Sequence, residues 1–389
     1  MLLDVLLLLL PIAAGSGWYA AKSSMEENSR KEGEQFTRRY LVGLTYLLNE
    51  QPDKAVDVFI KMLEVDSEVV ETHLTLGALF RRRGETGRAI RIHQNLIARP
   101  NLSKELRLQA LLALGEDYLK AGVLDRAERV LLEFSEIAIG EPAIIGLRHL
   151  LDIYQQEKHW EPAIATANKL LTQGESYQKN IAHYYCELAL QAREHQIEQA
   201  QRYLKRALEV DPSCARASLL QGNIEAGLGR YKPALQALQR AVQQDPDYLV
   251  EIIPALVNCY EQLDDKEGLI NYLQKCLQNY SRTSLTLVLA GLLQQQQGDQ
   301  AAIDFLTKHL QQRPSIRGLQ RLINLQLNNA NEEVKGDLKI LHDLTANLLK
   351  NKPAYRCVHC GFNSKVLHWL CPGCHYWGSI KPIQGPEGD

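Results

Sequence analysis

The chain has no surplus of either charge: 44 Lys and Arg stand against 46 Asp and Glu in 389 residues. A general nucleic-acid binder shows a net basic surface, so the balance argues against that class. Proline (14) and glycine (25) are scarce, and β-branched runs are short. Leu, Ala, Gln, Glu and Arg dominate instead, all of them helix formers. Catalytic motifs are missing too. No G-x-S-x-G, P-loop, G-x-G-x-x-G or HExxH occurs. Nucleophilic catalysis needs a nucleophile, a base and an orienting group brought together. His73, His93, His149, His183 and His309 lie singly on helical segments, where they read as packing or surface residues. The expectation is an all-α protein that is not an enzyme.

Disulfides are also excluded by pattern. Four of the eight cysteines (Cys186, Cys214, Cys259 and Cys276) are scattered singly through helical sequence, where reduced thiols behave as small hydrophobes. The other four are packed into the tail at metal-ligand spacing.

The N-terminus carries an apolar run, "LLDVLLLLLPIAAGSGWYAA" at residues 2–21. Some twenty residues at about 1.5 Å each span a hydrocarbon core of about 30 Å. Trp18 and Tyr19 fall where amphipathic rings prefer the interface. A cleaved signal peptide would start with positive charge, whereas here Asp4 is close to the start and Lys22, Arg30, Lys31, Arg38 and Arg39 follow the run. The reading is an uncleaved single-pass transmembrane anchor at 1–21 and a juxtamembrane linker at 22–35. By the positive-inside rule the bulk of the chain is cytoplasmic.

Between 36 and 315 the sequence repeats a frame of small, aromatic and alanine positions, with copies starting roughly 34 to 38 residues apart. Gly43, Tyr46, Ala55 and Phe59 recur as Gly77, Phe80, Ala89 and His93, then as Gly115, Tyr118, Ala127 and Leu131. The copy at 219–246 carries Gly222, Gly229, Tyr231, Ala234, Ala241 and Pro246. The alanine column continues at Ala163 and Ala200, then weakens to Leu269 and Ile303. This resembles the tetratricopeptide repeat, in which stacked helix pairs share one continuous core. About eight copies form a superhelical solenoid, with closing helices at 316–352. Pro212 and Pro246 suit the ends of second helices, and Pro254 belongs near the start of a first helix.

A solenoid offers a concave surface for partners. "RRRGETGR" at 81–88 ends a first helix, and the repeat alignment brings Arg81 and Arg82 towards the groove. They are the candidate partner-binding residues, for an anionic partner or lipid head groups. The alternative is a solvated turn.

The segment 353–389 contains "YRCVHCGFNSKVLHWLCPGCHYW". Cys357, Cys360, Cys371 and Cys374 form two CxxC pairs ten residues apart, enough for one hairpin. Four thiolates surround one ion tetrahedrally, which zinc and rubredoxin-type iron both accept. Gly361 follows the first pair, whereas His375 stands at the corresponding position after the second. With four thiolates filling the shell, His359, His368 and His375 are given no ligand role. Phe362, Trp369, Tyr376 and Trp377 shield the site or pack it on the last helices. So small a unit has too little core to fold unaided, and metal binding supplies the difference. Three roles stay open: electron transfer, nucleic-acid reading, for which the loop offers only Lys365, and structural docking. The short link after Lys352 favours contact with the helices.

The anchor with "GWY", the texts "THLTLGALFRRRGETGRAIRIHQ" and "AHYYCELALQ", and the tail "YRCVHCGF…CPGCHYW…IKPI" together resemble the lipopolysaccharide assembly protein B family of Gram-negative bacteria. The resemblance runs the full length. It implies an inner-membrane protein with a rubredoxin-like metal domain, one bound ion (iron by resemblance, zinc as the alternative) and no catalytic residues. It further implies an adaptor that lowers lipopolysaccharide synthesis by promoting degradation of the deacetylase committing material to lipid A. The implied partners are that deacetylase, the membrane protease FtsH and other lipopolysaccharide assembly proteins, with no nucleic acid. A scaffold for lipopolysaccharide enzymes and a rubredoxin-type electron carrier are the alternatives.

Overall fold

The computed structural model describes residues 70–389 except 101, 351 and 387, with residues 22, 38, 40–46, 49, 51, 54–55 and 58–59 before them. The expected anchor at 1–21 lies outside the described residues, as does the linker apart from Lys22. Among the described residues no helix is long and apolar enough to cross a membrane.

The body is helical, as its composition predicts. Two compact units divide it, Met1–Glu157 and Lys158–Asp389. In the first, residues 40–46 are helical and are followed by α1 (Val70–Arg82), α2 (Thr86–Ile97), α3 (Lys104–Lys120), α4 (Leu124–Ile137) and α5 (Glu141–Glu157). The second runs α6 (Trp160–Thr172), α7 (Gln178–Ala192), α8 (Ile197–Val210), α9 (Ala215–Gly227) and α10 (Tyr231–Gln244). A 3₁₀ turn, Pro246–Tyr248, leads to α11 (Leu249–Gln262) and α12 (Lys266–Tyr280). After α13 (Thr283–Gln297) and α14 (Asp299–Gln312), the closing helices α15 (Ile316–Asn329) and α16 (Glu332–Lys350) form one more packed pair.

The alanine column has a single structural meaning. Ala89, Ala127, Ala163, Ala200, Ala234 and Leu269 each stand fourth in a second helix and are buried. In α14 the fourth residue is Ala302, fully buried, while the expected Ile303 is only partly covered. The column is thus one residue earlier than the sequence suggested, because α14 starts directly after Gly298.

The glycine column is the counterpart. A Cβ on Gly77 would lie 2.4 Å from His93 Nε2, one on Gly115 2.8 Å from Leu131, and one on Gly222 2.6 Å from Leu238. Large residues of each second helix therefore lie directly on the backbone of the first. The turns are tight as well. Gly229 (φ 71°) and Asp264 (φ 54°) adopt the left-handed conformation between paired helices, where glycine and short polar residues are the least strained.

Pro212 and Pro246 follow the ends of α8 and α10, as expected. Pro254 sits sixth in α11, a turn deeper than expected.

The tail is a three-stranded antiparallel sheet of order β2-β1-β3, formed by β1 (Tyr355–Cys357), β2 (Asn363–Ser364) and β3 (Ile380–Pro382). Cys357 ends β1, so the first cysteine pair occupies the turn between β1 and β2.

Candidate metal centre

Each cysteine pair is a tight turn closed by backbone hydrogen bonds. In the first, Gly361 N–H donates to Cys357 O at 3.0 Å and Cys357 N–H to Phe362 O at 2.8 Å. The second repeats the pattern, with His375 N–H to Cys371 O at 2.9 Å and Cys371 N–H to Tyr376 O at 3.1 Å. Gly361 (φ 79°) and His375 (φ 56°) hold the same left-handed position. The missing glycine therefore changes the residue and leaves the turn intact, since histidine tolerates this region better than most side chains.

The two turns bring the sulfurs together. Cys357 Sγ lies 3.7 Å from Cys374 Sγ and Cys360 Sγ 3.6 Å from Cys371 Sγ, and all four fall within 4.8 Å of one another. Bonds of about 2.3 Å at tetrahedral angles separate sulfurs by about 3.8 Å. The residues fit a single tetrahedral ion. The donor set alone does not choose between zinc and iron. Cys357 and Cys371 are buried, Cys374 is half-buried and Cys360 is exposed, so the site opens to solvent on one side.

Thiolate character is unevenly shared. Burial pushes the Cys357 thiol up, but a hydrogen bond shared with Ser379 and those from the backbone N–H groups of Cys360 and His359 outweigh it and bring it to about 6. Burial and the neighbouring thiols push Cys374 up to about 12. Ser379 Oγ, 3.4 Å from Cys357 Sγ, is a supporting residue the sequence did not mark. Among the histidines, His359 stacks on Tyr376 at 3.9 Å between centroids. No histidine joins the cluster of sulfurs.

The metal unit does not pack on the last helices through its tryptophans. Trp369 and Trp377 instead close over the face made by α7, α9 and the start of α11. His183 of α7 stacks on Trp377, with centroids 5.0 Å apart and planes 17° apart. Tyr248 meets Trp369 at 4.5 Å, and Trp160 and Tyr184 meet Trp377 edge-on. Arg216 of α9 places its guanidinium 5.4 Å from the Trp369 ring and 5.5 Å from that of Trp377. It is anchored to Glu187 at 2.7 Å. A desolvated guanidinium between aromatic faces is among the stronger cation–π arrangements.

Polar contacts extend the dock. Lys381 pairs with Asp245 and lies over the Tyr248 ring, and Tyr355 hydrogen-bonds to Glu251. Tyr248 OH donates towards Gly378 O at 3.2 Å. The chain then continues along the stack, where Ser284 N–H donates to Asp389 Oδ1 at 2.6 Å and Ile316 N–H to Pro386 O at 2.8 Å. The tail thus touches the first helices α7, α9, α11, α13 and α15 in turn. Phe362 and Tyr376, expected to shield the site, remain 37% and 55% exposed.

The two arginines expected to approach the groove part company. Arg81 is engaged inside the first unit, bonded to Asp117 at 2.7 Å, Glu116 at 2.6 Å and Ala113 O at 3.2 Å, all on α3. Asp117 in turn meets the buried His93 at 2.5 Å. Arg82 is exposed.

Comparison with known proteins fits both halves of this description. Residues 355–382 match the rubredoxin metal binding domain family, and residues 189–248 match the tetratricopeptide repeat family. The chain is 40% identical over 391 residues to "Lipopolysaccharide assembly protein B" of Escherichia coli strain K12, covering all of both chains. It is 35% identical over 398 residues to the protein of the same name from Haemophilus influenzae, covering 99% of this chain and all of that one.

Proposed function

The chain belongs to the lipopolysaccharide assembly protein B family, and from that premise we propose that it is a membrane-anchored adaptor regulating lipopolysaccharide synthesis. In this reading residues 1–21 hold the protein in the inner membrane with its body on the cytoplasmic side. It brings the lipid A-committing deacetylase to the membrane protease FtsH. Confinement to one membrane raises effective concentration without new contacts.

The observation that supports the reading best is the dock itself. A bound ion would cross-link the two cysteine turns. Cys357, Cys360, Cys371 and Cys374 hold the turns, Ser379 supports Cys357, and Trp369 and Trp377 attach the unit to α7, α9 and α11. This arrangement builds one surface from distant parts of the chain. Partner surfaces then fall on what remains outside: Arg82 on the first unit, and the exposed rim of the metal unit at Val358, Phe362, Val366 and Tyr376. Arg81 serves by ordering α1 against α3.

The test is deacetylase half-life in cells carrying the wild type, Cys371→Ser with Cys374→Ser, Arg216→Ala with Trp377→Ala, or a deletion of 1–21, at matched protein levels. The adaptor reading expects a longer half-life in every variant. Normal turnover in all three would remove it and move a scaffold for lipopolysaccharide enzymes ahead.

A further inference from the structure

The first unit repeats its charge as well as its packing. The 38-residue step that relates Gly77 to Gly115 also relates Arg82 to Lys120, Arg88 to Arg126 and Arg91 to Arg129. All six of these basic residues are exposed. Arg88 and Arg126 stand immediately before the buried Ala89 and Ala127 of α2 and α4, and Lys54 holds the same place before the buried Ala55. Each of the three lies over the aromatic ring of its own repeat: Lys54 over Tyr46 at 5.8 Å, Arg88 over Phe80 at 5.5 Å and Arg126 over Tyr118 at 5.9 Å. The ring holds the stem while the charge stays in water. Because repeats stack, equivalent positions line up along one side of the unit. Acids do not match this column. Glu85 bridges Arg83 at 3.1 Å and Arg88 at 2.7 Å, and Glu128 is turned to Tyr154. Among the described residues of α2 and the first two turns of α4, Asp125 is the one exposed acid. No side chain caps the start of α2 or α4, so the positive ends of both helices add to the patch. In the second unit the place before the buried residue is taken by Pro162, Gln199, Pro233, Gly268 and Ala301. There the basic column stops.

We propose that this column lies against the anionic head groups of the membrane that holds the anchor, and so fixes how the first repeats face the bilayer. The proposal rests on the anchored reading given above. Two features select a lipid surface over another polyanion. Residues 22–39 reach at most about 60 Å even when fully extended, so an anchored chain keeps its first repeats beside the bilayer at high effective concentration. The charge is also spread over successive repeats on separate stems, which suits a broad and laterally fluid surface. An anionic leaflet favours each nearby Lys or Arg by a factor of about five. The pull fades within a Debye length, about 10 Å at 0.1 M salt.

The experiment uses the full metal-loaded chain in lipid nanodiscs, made of neutral phosphatidylcholine or of an equal mixture with anionic phosphatidylglycerol. Phenylglyoxal modification, mapped by mass spectrometry, reads the exposure of each guanidinium. In the mixed discs Arg88, Arg91, Arg126 and Arg129 should react roughly fivefold more slowly than in neutral discs. High salt should abolish the difference. Arg202 and Arg206 of α8, exposed but outside the column, should react alike in both. Arg88→Glu with Arg126→Glu should remove the protection of Arg91 and Arg129, whereas Arg88→Lys with Arg126→Lys should keep it. Helical circular dichroism and metal stoichiometry show that both variants fold. Co-elution with neutral discs tests the anchor separately. A chain that stays in neutral discs yet shows equal arginine rates in both lipids would overturn the proposal, leave the anchor standing and turn the column towards an acidic protein. Protection that persists in the glutamate variant would overturn it as well. A chain that does not co-elute with neutral discs would overturn both readings.

Discussion

Arg216 is the residue on which the dock turns. Its side chain is 5% exposed, bonded to Glu187 and set against both tryptophans of the metal unit. Removing it leaves a void between the rings and Glu187 without its cation, a combination that costs about 2–4 kcal/mol. Lysine keeps the charge and loses the planar face, so Arg216→Lys should fall between the wild type and Arg216→Ala. Three of the four tryptophans (Trp160, Trp369 and Trp377) lie in this cluster, and denaturant unfolding followed by intrinsic fluorescence reads it directly. His183 makes the same interface sensitive to acid. Burial holds its pKa down to about 3, with help from the nearby Arg216. The unfolded imidazole titrates near 6.5, so between that pH and 3 the unfolded chain carries one proton more. Stability contributed by neutral His183 is whole above about 6.5 and falls with falling pH, by at most about 1.4 kcal/mol per pH unit. Phenylalanine keeps a ring against Trp377 and cannot charge. His183→Phe should flatten this part of the pH–stability curve, and an unchanged slope would show that the proton is taken up elsewhere.

At the scale of helices the fit between columns carries the stability. Gly222 leaves room for Leu238, and a Cβ there would come within 2.6 Å of it. Gly222→Val should therefore destabilise by about 1–3 kcal/mol through overpacking. Leu238→Ala alone should cost about 2–5 kcal/mol through the cavity it opens. In the double variant the valine fills part of that cavity, so the two costs should add to less than their sum by at least about 0.5 kcal/mol. Thermal unfolding of the four proteins measures the coupling; strict additivity would mean that the two columns do not touch in solution. This level was legible in the sequence because the repeat prints the same contact several times. Ala89, Ala127, Ala163, Ala200 and Ala234 mark the fourth residue of second helices without any coordinates. The reading slipped at Ala302, where two alanines precede Ile303 and only the helix start tells which faces inward. The four metal cysteines were legible for a related reason, since their spacing is local. His183 and Arg216 were not. Each sits in ordinary helical text, and its aromatic partners in the metal unit lie more than 150 residues further along the chain.

At the scale of the whole second unit, metal and helices are one system. The tail contributes little core of its own. Tyr355, Cys357, Cys371 and Ile380 form a small buried cluster, while Leu367, packed beside it, also joins Trp369 against the core of α9 to α13. A structural zinc ion bound by four thiolates contributes apparent free energies of about 10–16 kcal/mol in small domains, and such energy passes to whatever the ordered tail touches. Stripping the ion with a chelator should therefore do more than unfold 353–389. Amide exchange should quicken in α7 and α9, which carry His183 and Arg216, and in α11, which follows Tyr248, and the fluorescence of Trp369 and Trp377 should shift to the red as water reaches them. Restoring zinc or ferrous iron should reverse both changes, and because either ion suits the sulfur spacing, the protection recovered should be similar. If chelation freed the tail while α7, α9 and α11 exchanged as before, the stack would be stable without its dock. The cysteines would then act through the knob's own surface and not through the shape of the unit.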